Sequence, residues 1–190
     1  MTNGYDPQEN AEQTEAVRSV VREALDRDAD WAALAQAGLL GLGIPEEHGG
    51  DGLGLLEVGV LLREAASRAR HLPLWETLVC GGLVLTAHGT DAQRKELLPG
   101  IASGEVLLTP ALREVGRGLG ATPSTTYAEG RVTGRKIAVT HAADATRLLQ
   151  APVMVVGEER AGVRRQVLED PDALAGASAA APNADGKQRL

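Results

Sequence analysis

"LAQAGLLGLGIPEEHGGDGLGLLEVGVLLREAA" runs from Leu34 to Ala66 and holds the turning point of the helical half. Two strongly apolar stretches are interrupted by Pro45, Glu46, Glu47 and His48, followed by a cluster of glycines. Glutamates beside a histidine raise metal binding or acid–base chemistry, and glycine pairs raise a phosphate cradle. Neither fits the spacing. Adjacent residues rarely converge on one metal ion, and "GRGLG" (Gly116–Gly120), which could be called a phosphate loop, lacks the complete dinucleotide fingerprint and its strand–helix context. Pro45 interrupts the apolar approach, and Gly49 and Gly50 permit backbone conformations closed to other residues. The stretch reads as a structural connection between two helices.

Outward from this loop the helical pattern holds on both sides. Upstream, Val17, Val20, Val21, Ala24 and Leu25 follow the spacing of one apolar helix face. Asp30 is placed to cap a short helix from Trp31 to about Ala37, which Gly38 closes. Downstream, the helix from Leu55 to Ala69 is apolar almost all round and is expected to be buried on most sides. Pro73 suits the first turn of a further helix, which runs to His88 and Gly89. Thr90 and Gln93 form a capping-box pair for the next, and Pro99 and Gly104 end the helical half. "LPLWETLVCGGLVLTAHG" is too interrupted by Glu76 and the Gly81–Gly82 pair to span a membrane.

After Gly104 the periodicity changes. "STTYAEGRVTGRKIAVT", Ser124 to Thr140, carries β-branched residues broken by turn signals, and "LLQAPVMVV" and "VRRQVL" add candidate strands. Four or five short strands rarely make an independent sheet, so this region reads as an unfinished β-part. From Asp170 the chain loses all periodicity and is expected to be a mobile tail. The expected architecture is α+β: an all-helical domain over residues 1–104, an incomplete antiparallel β domain over 105–169, and a tail over 170–190.

The bulk composition narrows the function classes. The 190 residues include two Trp, two Tyr and no Phe, so the core rests on Ala, Leu and Val. A net charge of −7 argues against a nucleic-acid partner. Cys80 is the single cysteine, which removes a disulfide framework and makes a reducing compartment the default. With a polar N-terminus that lacks an apolar signal core, the expected location is the cytoplasm. His71, His88 and His141 are scattered and read as surface or helix-end residues. Cys80, mid-helix, reads as a small core residue.

Four stretches together resemble the acyl-CoA dehydrogenase family: Leu34–Ala66, "HGTDAQRKELLPGIASGE" (His88–Glu105), "ALREVGRGLG" (Ala111–Gly120) and "GRKIAVTHAADA" (Gly134–Ala145). The resemblance covers roughly Ala11 to Asp170. It implies FAD as cofactor, an acyl-CoA or acyl-carrier thioester as substrate, and removal of two hydrogens from its α and β carbons. The last two stretches look like the family's flavin-facing segments. In the first, Leu112, Glu114, Gly116 and Gly118 match the family pattern, while Arg113 stands for its threonine and Leu119 and Gly120 for its serine and aspartate. In the second, Val139 and Thr140 match, whereas Ala138 replaces an aromatic residue and His141 takes the polar position. Carried over in this way, the cofactor-binding candidates are Leu112, Arg113, Gly118, Val139 and Thr140. Arg113 is long and charged; it either meets the cofactor's pyrophosphate or points to solvent, the more common fate of an arginine. Thr140 also reads as an ordinary strand threonine.

The resemblance further implies a C-terminal helical bundle that carries the catalytic glutamate. This sequence shows no such segment, so no catalytic residue is assigned and no metal is expected. Three functions follow as expectations: part of a flavin-dependent dehydrogenase completed by a homologous subunit, a catalytically silent partner of a complete homologue, or a thioester-binding fragment without redox chemistry. Either of the first two implies a homo- or hetero-oligomer.

Overall fold

A computed structural model describes residues 7–27, 29–118, 121–128, 131–150, 153–156, 159–163 and 167–169. The tail from Asp170, and with it the expected lack of order there, lies outside these residues. Leu119 and Gly120 lie outside them too. The chain divides into two compact units, Met1–Leu107 and Leu108–Leu190.

The first unit is helical. Helix α1 (Pro7–Asp26) packs on α3 (Leu55–Ser67), and between them lies α2 (Trp31–Gln36) in sequence. Asp30 caps α2 by accepting the Ala33 amide at 2.9 Å. The Trp31 indole N–H donates to the Gly104 carbonyl at 2.9 Å, tying α2 to the end of the unit. On α1 the apolar face is narrower than its spacing predicts: Val21 and Leu25 are buried, whereas Val20 is 49% exposed.

The loop at the centre of the sequence is a short 3-10 turn, Glu46–His48, closed by Gly49 at φ +83°. The chain after it folds back on the preceding run of turns, with Asp51 N–H to Gly41 O, Gly52 N–H to Ile44 O and Leu53 N–H to Leu42 O, at 2.8 to 3.1 Å. Gly50 is held tightest. A Cβ there would lie 2.1 Å from the Ile44 carbonyl oxygen, so no other residue fits without moving the backbone. Connection, not chemistry, accounts for these residues.

Helix α3 departs from the expectation of burial on most sides. Val58, Leu61 and Ala65 are buried, but Leu55 and Leu56 are 62% and 56% exposed. The face turned to α1 is partly polar instead. Glu57 accepts Gly54 N–H at 3.1 Å and Thr14 Oγ1 at 3.4 Å, and the buried Glu64 receives Arg22 at 3.1 Å and Arg68 at 2.8 Å. Bonds from Arg22 and Arg68 hold the Glu64 carboxyl below its ordinary value against the opposing effect of burial.

The helix predicted after Pro73 exists but winds differently. Trp75–Leu83 is π-helical and runs on as α4 (Val84–His88), which ends at Gly89. A Cβ built on Gly82 would lie 3.9 Å from Ile44 and 4.0 Å from Ile101, ordinary contact distances, so this glycine faces the core without a clash that demands it. Helix α5 (Asp91–Ala102) starts with the expected box: Gln93 N–H to Thr90 Oγ1 at 3.3 Å and Thr90 N–H to Gln93 Oε1 at 3.0 Å. Pro99 sits inside α5 rather than at its end, and Gly104 at φ +80° closes the unit. Leu34, Leu40, Ile44, Leu61, Leu85, Leu98 and Ile101 form the core. No helix among the described residues is long and apolar enough to cross a membrane.

Among the described residues the second unit carries seven short strands: β1 (Leu108–Ala111), β2 (Thr126–Ala128), β3 (Arg131–Thr133), β4 (Arg147–Gln150), β5 (Val153–Val156), β6 (Glu159–Val163) and β7 (Val167–Glu169). They form two sheets in the orders β1-β4-β7 and β3-β2-β5-β6. The antiparallel expectation needs correction. β1 pairs parallel with β4, and β2 parallel with β5, while β4–β7, β2–β3 and β5–β6 are antiparallel. Each parallel pair joins strands separated by a long connection, the condition that a parallel neighbour requires. Alternation of apolar residues carries no information on strand direction, so the sequence had no means of showing this.

Candidate functional site

The site is built where β1 runs out. Thr109, fully buried in β1, donates its hydroxyl to the Thr140 carbonyl at 2.7 Å. Three residues further on the chain leaves the strand, and the Arg113 carbonyl accepts Ile137 N–H at 2.9 Å. Glu114 and Lys136 then face each other across an isolated antiparallel bridge. These contacts lay segment 112–118 beside segment 136–141.

The predicted residues fall as follows. Leu112 is 46% exposed, and Arg113 and Gly118 are exposed on the first segment; Val115, which the sequence reading passed over, is 61% exposed beside them. On the second, Val139 is half-buried and Thr140 exposed. Leu112 and Arg113 therefore lie near Val139 and Thr140. Gly118 lies further along, its carbonyl accepting Ala121 N–H at 3.2 Å. A Cβ built on Gly116 or Gly118 would meet nothing within 4 Å, so this turn is open. Gly116 adopts φ +69°. Ala138 and His141, which bracket Val139 and Thr140, both adopt φ +53°, an uncommon and costly region for residues with a Cβ.

Glu114 is the residue that sequence reasoning undervalued. It is 5% exposed and gathers donors from two further segments. Its Oε1 accepts Thr125 N–H at 3.0 Å, Thr125 Oγ1 at 2.6 Å and Lys136 Nζ at 2.8 Å. Its Oε2 accepts Ser124 N–H at 2.6 Å and the Ser124 hydroxyl, with Arg117 Nε at 3.8 Å. Burial alone pushes the carboxyl up, but the bonds from Lys136, Ser124 and Thr125 outweigh it and hold the group well below the usual carboxylate range. The signal in sequence was the match of Glu114 to a motif position. Its partners, ten to twenty-two residues away, gave none.

Other candidate chemistry is not concentrated. Among the described residues no three His, Cys, Asp or Glu side chains group as metal ligands. Cys80 is half-buried, and burial, helped by Glu76, pushes its thiol up, away from the thiolate that a nucleophile needs.

A helical unit followed by short mixed sheets, with two exposed segments laid side by side, defines an α+β protein. Residues 8–105 match the model of the acyl-CoA dehydrogenase N-terminal domain. The chain belongs to the acyl-CoA dehydrogenase family. It is 40% identical over 163 residues to acyl-CoA dehydrogenase FadE28 of Mycobacterium tuberculosis, a match covering 84% of this chain and 47% of that protein. Among solved structures, the Tcur3481–Tcur3483 steroid acyl-CoA dehydrogenase G363A variant superposes with a TM-score of 0.73 at 33% identity, covering 85% of this chain and 49% of that one. An acyl-CoA dehydrogenase of Bacillus anthracis, solved in complex with FAD, superposes with a TM-score of 0.65 at 26% identity, over 88% and 33% of the two chains. The chain thus spans about half the length of the first two.

Proposed function

We propose that this chain is part of a flavin-dependent enzyme that dehydrogenates acyl thioesters between their α and β carbons, and that it works with a homologous subunit. In this reading residues 1–104 are the helical N-terminal domain and 105–169 a partial middle β domain. Family membership over residues 8–105 carries the reading.

The β-unit residues fit such a cofactor. FAD, when bound, supplies the hydride acceptor for the β hydrogen. The open turn at Gly116 and Gly118 leaves room for a close approach of a phosphate or ring edge, and the exposed Arg113 brings a cation to the same segment. The half-buried Val139 and exposed Thr140 offer an apolar edge and a hydroxyl. None of these is a base at an α carbon, and the reading assigns the proton-abstracting carboxylate to the partner. The substrate is an acyl-CoA or an acyl-carrier thioester, and the compartment is the cytoplasm.

A second reading, a catalytically silent partner of a complete homologue, is favoured by one observation: Ala138 offers no ring to stack on a flavin and is exposed. Both readings expect the isolated chain to bind FAD weakly. Three contacts altered relative to the family, at about 1 kcal/mol each, lower affinity by roughly a hundredfold. Titration of the purified chain with FAD, alone and after co-expression with a full-length homologue, separates them. Stoichiometric flavin only in the co-expressed complex, lost on Thr140→Val and Arg113→Ala in this chain, supports the first reading. Flavin content indifferent to both substitutions supports the second, and tight binding by the isolated chain refutes the expected weakness.

A further inference from the structure

We propose that Glu114 is the positioning residue of this site: its buried carboxylate fixes the register in which segments 112–118 and 136–141 lie side by side. The proposal concerns the site assigned above to flavin and takes its functional meaning from that reading.

Among the described residues the backbone pairing between the two segments lies in a short stretch around residue 114. One amide bond, Ile137 N–H to Arg113 O, and one isolated bridge join them around residue 114. So short a ladder does not fix register by itself, because strand register depends on buried pattern or on turn geometry. Glu114 supplies what the ladder lacks. Its two oxygens receive five donors from three residues on two other segments, and the Lys136 side chain that completes the set is only 9% exposed. Shifting either segment by one residue would turn the carboxylate or the ammonium to the other face and strand its partner.

A second feature seats the acceptor's far side. A Cβ on Gly134 would lie 2.4 Å from Thr125 Oγ1 and 2.7 Å from Thr125 Cα, so the chain just before Lys136 passes against Thr125 where only glycine fits. Thr125 is itself fully buried and presents both amide and hydroxyl to Glu114. The three segments 112–118, 124–125 and 134–141 therefore meet on one carboxylate. Among the described residues the charged groups facing it are Lys136 and Arg117.

Glutamine in its place keeps size and one acceptor but turns an NH2 toward at least one of the donors, and it leaves the Lys136 ammonium buried without a counter-charge. Removing both charges together is far milder than removing one. These two facts set the test, made on the full chain by residue-resolved amide hydrogen exchange. Glu114→Gln is expected to lower the protection of Ile137 and Thr125 at least tenfold while amides in α3 stay within twofold of wild type. Lys136→Met alone is expected to move the pH at which Ile137 loses protection up into the ordinary carboxylate range. The Glu114→Gln, Lys136→Met double variant is expected to regain protection relative to Glu114→Gln. Unchanged Ile137 protection in Glu114→Gln overturns the proposal, as does a double variant no better than the single. Should Glu114→Gln not fold, the pH profile of Lys136→Met decides: a profile identical to wild type overturns the clamp. FAD titration of the same variants reports on the flavin reading alone. Altered Ile137 protection without any flavin binding would sink that reading and leave the clamp standing.

Discussion

Ala138 and His141 hold the Thr140 segment in a backbone shape that costs free energy, since a Cβ at φ +53° crowds the neighbouring carbonyl. A glycine at 138 removes that crowding, worth about 1 to 2 kcal/mol, while adding about 0.4 to 1 kcal/mol of unfolded-chain entropy. Ala138→Gly is therefore expected to stabilise the β-unit by about 0.5 to 1 kcal/mol, read as a higher urea midpoint followed at Tyr127. A midpoint lower than wild type would mean that the turn is relaxed as it stands. The opposite residue-level effect belongs to Glu114. Its folded-state pKa lies below its unfolded value, so the stability it contributes is present above about pH 4.3 and is lost as pH falls below that value toward the folded one. Acid should loosen the Glu114 cluster within this window, and Lys136→Met should narrow it by bringing the folded value closer to the unfolded one.

At the scale of elements, the central loop separates two glycines that look alike in sequence. Gly49 adopts φ +83° with open space around it, whereas Gly50 lies outside that left-handed region but has no room for a Cβ. Gly49→Ala is expected to cost about 1 to 2 kcal/mol of αL strain, and Gly50→Ala more than 3 kcal/mol, because backbone atoms must move. Thermal melts of the two variants check the order; equal losses would mean that the loop gives way at Ile44. This contrast also marks what was legible. Asp30, Thr90 with Gln93, and the glycines at 89 and 104 announce helix ends because caps act over three or four residues. Strand direction, the π-winding after Leu74 and the exposed first turn of α3 depend on distant neighbours. Glu114 was visible only as a motif match, since its burial is set by Ser124, Thr125 and Lys136, which local periodicity does not connect to it. Leu112, Arg113, Val139 and Thr140 were singled out by family position alone, and no local pattern marks them.

At the scale of the molecule, the helical unit carries an apolar surface beyond what its own core uses. An open groove between α1 and α3, about 500 Å³, is lined by Thr14, Arg18, Leu55, Leu56, Gly59, Val60 and Arg63. Trp75 adds a further 56% exposed side chain on the same unit. Two adjacent leucines more than half exposed at the first turn of α3 are an association or aggregation liability when they form part of a contiguous patch. Covering about 400 Å² of such surface is worth ~10 kcal/mol before the cost of association, comparable to the net stability of a whole domain. The chain is thus expected to self-associate or to pair with a homologue. Light scattering across a dilution series should give a mass that falls with concentration, and Leu55→Ser with Leu56→Ser should shift the midpoint toward monomer by at least tenfold without altering the helical content seen by circular dichroism. Arg18 and Arg63 flank the groove, so the same equilibrium should respond to salt if they meet carboxylates across it, and not if the contact is purely apolar. A monodisperse monomer at high concentration that binds no apolar dye would mean that these leucines are tolerated singly, as scattered surface leucines often are, and that the helical unit is sufficient by itself.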